Sequence, residues 1–349
     1  MRSPINRGAV ASVDRVRKVQ DMKCAHLTAH GAPPEVVKIL DVVEPVAGHG
    51  QALVKMIACG INPADLLGFE GRYPGPGPFP APCGIEGAGV VESVGAGSVL
   101  SVGDHVISLS RANWAEKVLA ADEMFIRISK TLGWRDAAQL KINPPTAKKM
   151  LADYVELKPG DWVAQNAANS AVGLHVIRFA KDLGVKTVNF VRRTELIQPL
   201  KDHGADLVLV AGNDQAAQMR AEIGAEAHVP LGLDACGGAP TRWMADGLSD
   251  GGTVVNYGYL SGAPCEVESG DLIVHGKTLT GFWLAGWMGS ASRTAKEELF
   301  AEMSAAFETG KLVSPVEATY GFDQLGDALA HAWRGGRSGK ILLTPNGTI

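Results

Sequence analysis

From Lys23 onward the chain opens with short runs in which apolar and polar positions alternate: residues 24–27, 36–42, 51–57, 89–94 and 105–109. A period of two belongs to a strand with one buried face, and the Gly and Pro residues between the runs supply turns. The runs predict a β-rich region with few helical windows. One short helix is expected at residues 62–69, where Pro63 suits the first helical position because its missing N–H would have no partner there. Residues 73–82 read YPGPGPFPAP, and five prolines in ten residues predict a stiff loop rather than a helix or a central strand. Such a loop either borders a site or merely connects.

The pattern changes near Lys141. Residues 145–157 read as a helix, after which apolar strands alternate with helical windows: 162–165, 187–191, 206–210, 231–235, 252–257 and 278–284. Six strands joined by helical crossovers predict an α/β fold, a doubly wound Rossmann domain with a six-stranded parallel sheet. Helices at 294–309 and 324–333 and strands at 316–320 and 340–344 close the chain. That last piece is too small for a core of its own, so it is expected to complete the first domain. The expected division is a β-rich catalytic domain at 22–142 and 288–349, a nucleotide-binding domain at 143–287, and a disordered lead at 1–21.

The first β–α–β unit, residues 161–193, carries the candidate chemistry. An apolar strand runs into small residues at 166–173, then a helix with Val172, Val176, Ile177 and Ala180 on one face, then a second strand. A turn at a helix N-terminus aims free N–H groups and the positive end of the helix dipole at a phosphate. The glycine fingerprint is degenerate, A-A-N-S-A-V-G, with Gly173 its only glycine, while Asn169 and Ser170 add side-chain donors. A plain crossover that binds nothing fits this turn equally well. The end of the second strand tips the balance. An NAD site puts an acid about 20 residues on, to hold the ribose 2′-hydroxyl. Here stand Arg192 and Arg193, and cations at a helix start oppose its dipole unless an anion such as a 2′-phosphate joins them. The cofactor expected is therefore NADPH, the alternative being two solvated arginines.

Bulk properties narrow the class. The chain has 349 residues, 46% hydrophobic and 20% charged, with a net charge of −4. That balance fits a globular protein of two domains, and speaks against a nucleic-acid groove or a membrane patch as the main function. No apolar run reaches the roughly 20 residues of a membrane span. The five cysteines, at 24, 59, 83, 236 and 265, include no C-x-x-C pair, which favours free thiols over a disulfide framework or a structural zinc. The basic N-terminus lacks the apolar core of a secretory signal. A cytoplasmic location is expected, or the mitochondrial matrix if that segment is a transit peptide.

Three motifs, G-I-N-P-A-D at 60–65, G-I-E-G-A-G-V-V-E-S-V-G at 84–95 and V-G-D-H-V at 102–106, resemble the medium-chain dehydrogenase/reductase superfamily, whose plan is a GroES-like domain interrupted by a Rossmann domain. Others narrow the resemblance: Q-N-A-A-N-S-A-V-G, V-R-R, Y-G-Y-L, G-F-W-L-A-G-W and N-P-P-T-A resemble the 2-enoyl thioester reductases of mitochondrial fatty-acid synthesis, over nearly the whole chain from about residue 22. The resemblance implies that Tyr73, in G-R-Y, is the proton donor. It also implies NADPH contacts from Asn143, from Asn169, Ser170, Ala171 and Val172, and from Arg192, Arg193 and Thr194. Further implied contacts are Tyr257, Gly258, Tyr259 and Leu260, then Phe282, Trp283 and Leu284, and finally Lys340.

Two departures stand out: Ala171 replaces a usual glycine, which is expected to tighten the phosphate turn, and Ile85 replaces a usual polar residue. Zinc alcohol dehydrogenases share the fold, but the places of their metal ligands hold Asn62 and Ile85, so no metal is expected. The expected activity is NADPH-dependent reduction of an enoyl thioester carried by CoA or acyl carrier protein, by a homodimer. A zinc-free quinone or alkene reductase, and a nucleotide-binding protein without catalysis, are the other readings. Phe282, Trp283 and Trp287 either line a pocket or fill the core beside the sixth strand.

Overall fold

A computed structural model describes residues 20–349. Most of the expected lead thus lies outside the described residues. The first strand begins at Asp21, one residue inside it.

The doubly wound sheet is present. Its six strands are Trp162–Gln165, Lys186–Val191, Leu207–Val210, Leu231–Asp234, Thr253–Asn256 and Thr278–Gly281, all parallel, in the spatial order third, second, first, fourth, fifth, sixth. The order reverses beside the first strand, and a ligand crevice opens there at the strands' carboxyl ends. The inner strands are buried on both faces, which explains why they show no alternation: residues 163–165, 187–191 and 231–234 are each buried in succession. The last two strands end earlier than their apolar runs suggest. Asn256 and Gly281 close them, and Tyr257 and Phe282 turn out of the sheet to pack on the core below. Leu284 then starts a helix, Leu284–Ser290.

The second architecture is antiparallel except at one edge. A seven-stranded sheet runs from Val316–Gly321 through Lys340–Thr344, Gln51–Gly60, Ala88–Val94 and His105–Ser108 to Phe125–Arg127, and Lys117–Ala121 also pairs with Gln51–Gly60. Lys117–Ala121 and Phe125–Arg127 escaped the pattern reading because they are short and show no clean alternation. A small sheet joins Asp21–Leu27 to Val37–Val43 and to Ala81–Pro82, so the end of the proline-rich segment does pair, as a two-residue edge. Helix Leu325–Trp333 buries Leu325, Ala328, Leu329 and Ala332 against the strands, in one core with Phe69, Trp114, Ile341 and Leu343.

The helix expected at 145–157 runs Asn143–Ala152 instead. Prolines in a first helical turn forfeit only N–H groups that lack partners, so Pro144 and Pro145 lie inside the helix rather than marking its start. Tyr154, Val155 and Leu157 remain apolar because they pack on the core as irregular chain. Helix Arg293–Glu308 buries Leu299, Phe300, Met303 and Phe307 in a core shared with Met150, Val176 and Phe179 and also with Ile107 and Ile126. That shared core bridges the two sheets and holds the faces of the crevice in fixed relation.

Candidate active site

The phosphate turn sits where the first strand meets helix Ala171–Asp182. The helix forms because Val172, Val176, Ile177, Phe179 and Ala180 bury one face, and Ser170 caps it: its hydroxyl accepts the Gly173 N–H at 3.2 Å. Gly173 is required by packing, since a Cβ there would stand 2.3 Å from the Ala168 carbonyl oxygen. Ala171 is an ordinary first helical residue, and the turn's strain sits four residues earlier, at Ala167, the one non-glycine residue with positive φ (48°) among the described residues.

Asp234 organises the crevice floor. Its buried carboxylate accepts from the Asn166 amide at 2.6 Å, the Thr241 hydroxyl at 2.6 Å, the Asn256 amide at 3.0 Å and the Cys236 N–H at 2.8 Å. Three strand ends, the first, fourth and fifth, are thereby tied together. Gly258 lies against this floor, where a Cβ would approach the Ala235 carbonyl oxygen to 2.4 Å. Burial pushes the Tyr257 hydroxyl well above the usual tyrosine range, with the Ser170 side chain opposing the rise.

Arg192 and Arg193 leave the second strand into solvent, followed by Thr194 at the head of a short 3₁₀ turn. Arg193 makes one loose pair, 3.4 Å to Glu195, and Arg192 makes none among the described residues. Both guanidinium groups are thus open to an anion. Tyr259 and Leu260 rim the crevice, Leu260 half exposed. The three aromatic candidates divide: Phe282 packs edge-on against Tyr154 and Trp287 joins the core, whereas Trp283 is 51% exposed at the crevice.

Tyr73 stands on the opposite wall. Helix Pro63–Phe69, braced at its start by the Asp65 carboxylate accepting the Asn62 N–H at 2.9 Å, delivers the chain to this loop. The loop then folds back so closely that a Cβ at Gly75 would lie 2.8 Å from the Gly68 carbonyl oxygen. Arg111 fastens it by donating to the Pro74 carbonyl at 2.8 Å. Burial raises the pKa of the half-buried Tyr73 phenol, while the Arg111 charge and the Trp283 indole oppose the rise, so the group is protonated at neutral pH. Tyr73 and Trp283, 210 residues apart in sequence, therefore face one another.

Beneath the crevice lies a buried polar network. The Asn62 amide donates to Glu86 Oε1 at 2.6 Å, and the Asn143 amide reaches Asn62 Oδ1 at 3.5 Å. The Lys340 ammonium donates to the Ile61 carbonyl at 3.1 Å and to Asn62 Oδ1, and lies 3.7 Å from Glu86. Asn143 and Lys340 thus sit together, both committed to this network. Lys141 donates to the Ile85 carbonyl and, at 2.8 Å, to that of Ser110; burial pushes its pKa down to about 7, against the pull of Glu86. Asp65 accepts the Asn62 and Ile85 N–H groups at 2.9 and 3.0 Å, and burial raises it to about 7 despite them. Sequence reasoning missed Lys141, Glu86 and Asp65. A charge flanked by apolar and small residues, as in L-K-I and G-I-E-G, was the available signal.

These features define a two-domain, nucleotide-dependent dehydrogenase or reductase. Residues 48–157 match the alcohol dehydrogenase GroES-like domain family, and residues 171–304 the zinc-binding dehydrogenase family. The mitochondrial enoyl-[acyl-carrier-protein] reductase of Caenorhabditis elegans is 38% identical over 80% of this chain and 83% of its own. The chain belongs to this enoyl-[acyl-carrier-protein] reductase family within the medium-chain dehydrogenase/reductase superfamily.

Among solved structures, Etr1p in complex with NADP and crotonyl-CoA superposes with a TM-score of 0.82 at 26% identity, covering 93% of this chain and 100% of that one. A putative NADPH:quinone reductase from Bacillus thuringiensis (TM-score 0.85, 24% identity, 93% and 99% covered) shares the fold. The zinc of the matched family's name does not fit here: Ile85 has no donor atom, the Asn62 amide is spent on Glu86, and the ammonium groups of Lys340 and Lys141 crowd the place.

Proposed function

We propose that this protein reduces the 2,3 double bond of a trans-2-enoyl thioester, carried by CoA or acyl carrier protein, with NADPH and with Tyr73 as proton donor. The observation that carries the reading is the half-buried Tyr73 on a loop that Arg111 braces at the Pro74 carbonyl, with its neighbour Arg72 reaching Tyr259 on the nucleotide side. NADPH, when bound, supplies the hydride that goes to Cβ. The chain's own residues hold the nucleotide, orient the thioester and deliver the proton to Cα.

The free N–H groups after Ser170, with Asn169, Ala171 and Val172, receive the pyrophosphate. Arg192, Arg193 and Thr194 take the 2′-phosphate, and Tyr257, Gly258, Tyr259 and Leu260 line the nucleotide. Phe282, Trp283 and Leu284 shape the reacting end, with Asn143 and Lys340 fixed at its floor by the buried network. Proton delivery from Tyr73 neutralises the carbanion that hydride addition leaves next to the thioester carbonyl.

The quinone-reductase alternative uses the same cofactor residues but no proton donor at position 73. NADPH oxidation with crotonyl-CoA and with a quinone, in wild type and Tyr73→Phe, separates the two. Loss of roughly 10²–10⁴-fold in kcat on the thioester alone, with NADPH affinity kept, is the expected result. Unchanged thioester turnover with chemistry rate-limiting refutes the assignment.

The sixth strand has a free edge at Thr278–Gly281, beside the exposed Leu272, Ile273 and Val274, and a second copy pairing there makes a homodimer. The relatives are named as mitochondrial, and a basic N-terminus fits a mitochondrial setting.

A further inference from the structure

Arg72 precedes Tyr73 on the catalytic wall, yet its side chain is spent on the nucleotide wall. The guanidinium lies over the Tyr259 ring, 5.9 Å from its centroid. Nη2 sits so close to Gly262 that a Cβ there would be 2.5 Å away. Nη1 pairs with Glu70 at 2.9 Å, and Glu70 also accepts the Trp333 indole N–H at 2.8 Å. The backbone beneath is fixed, because the Arg72 N–H donates to the Leu67 carbonyl at 2.9 Å and Gly71 takes a left-handed φ of 76°. Arg72 is therefore a short arm between a braced helix end and the loop that carries Tyr257, Gly258, Tyr259 and Leu260. The arm is part exposed, and ion pairs of that kind add little to global stability. Its consequence is positional, and it falls on the neighbouring residue.

We propose that Arg72 is a positioning residue that bolts the Tyr73 loop to the nucleotide-binding loop 257–262, so that the loop lining the cofactor also sets the proton donor. The inference rests on Tyr73 being that donor. Misplacing a reacting group by about 1 Å costs on the order of 10²-fold in rate, so even a partial release of the loop is measurable.

The test uses the full chain with crotonyl-CoA and NADPH. Arg72→Met is made alone and with Tyr73→Phe, and Arg72→Lys serves as the conservative variant. Arg72→Met is expected to lower kcat roughly 10-fold or more, with KM, NADPH affinity and Tm near wild type. Arg72→Lys keeps a cation over Tyr259 and should recover much of the loss. In the Tyr73→Phe background Arg72→Met should cost nothing further, because no hydroxyl remains to be placed. A merely structural role would lower kcat equally in both backgrounds. That outcome, or wild-type kcat in Arg72→Met, overturns the inference while the donor assignment stands. Wild-type kcat in Tyr73→Phe overturns the donor assignment, and this inference with it.

Discussion

Lys340 offers the sharpest test of how the buried network is held together. Its ammonium lies 3.7 Å from Glu86 Oε1, and both side chains are almost wholly enclosed. Burial raises the Glu86 pKa, and Lys340 is the largest influence opposing that rise, ahead of Asn62 and Lys141. In Lys340→Met the carboxylate loses this support and takes up a proton in the folded state. A carboxyl protonated when folded but ionised when unfolded destabilises the fold increasingly above its ordinary pKa of 4.5. The deficit relative to wild type grows by at most about 1.4 kcal/mol per pH unit, over the range where Glu86 is ionised in the folded wild type but protonated in the variant, and a broken buried pair typically costs ~3–5 kcal/mol. The sign is definite: the deficit grows as pH rises and shrinks as pH falls toward 4.5. Urea unfolding of wild type, Lys340→Met and Lys340→Met/Glu86→Gln at about pH 5.5 and 7.5 reads it out. The double variant replaces the charge with a neutral amide, so it should recover most of the loss and show no such pH dependence. A Lys340→Met deficit equal at both pH values, or a double variant as unstable as the single one, refutes the reasoning. NADPH affinity at the lower pH then reports whether Lys340 also touches the nucleotide.

Replacing Arg192 and Arg193 together by Ala should weaken NADPH binding by about 1.5–3 kcal/mol per charge-assisted bond, at the lower end because both are exposed, and leave NADH nearly unaffected; equal losses for both cofactors would show that they do not read the 2′-phosphate. Dialysis against a strong chelator should leave activity unchanged, since Ile85 and the Glu86-bound Asn62 amide offer no metal site; stoichiometric zinc in active protein would contradict this. Gly173→Ala puts a Cβ 2.3 Å from a backbone carbonyl that cannot step aside. The overpacking should cost about 1–3 kcal/mol and weaken NADPH binding more than 10-fold, and unaltered affinity would show that the turn is not the phosphate site.

What this sequence determined by itself is whatever depends on near neighbours. The mainly apolar, non-alternating runs at 162–165 and 231–235 come from strands buried on both faces, so they announce a parallel sheet without any tertiary knowledge. The Ser170 cap, the Gly173 packing position and the two arginines at a strand end are likewise written in a few consecutive residues, and the family's motifs fixed Tyr73 as the candidate. The tertiary structure decided the rest. Ala167 rather than Ala171 carries the strained backbone because the turn must close on a packed helix. Lys141 and Glu86 read as ordinary charges, and Lys340 only as an implied nucleotide contact, until folding buries them together, across separations as long as the 279 residues from Ile61 to Lys340. Arg72 belongs by sequence to one wall and by contact to the other. Hydrophobic periodicity records only which side of its own element a residue faces. Which distant element meets that side is settled by the packing of the two sheets around their shared core, and the crevice, with Tyr73 facing Trp283, exists only once that packing is complete.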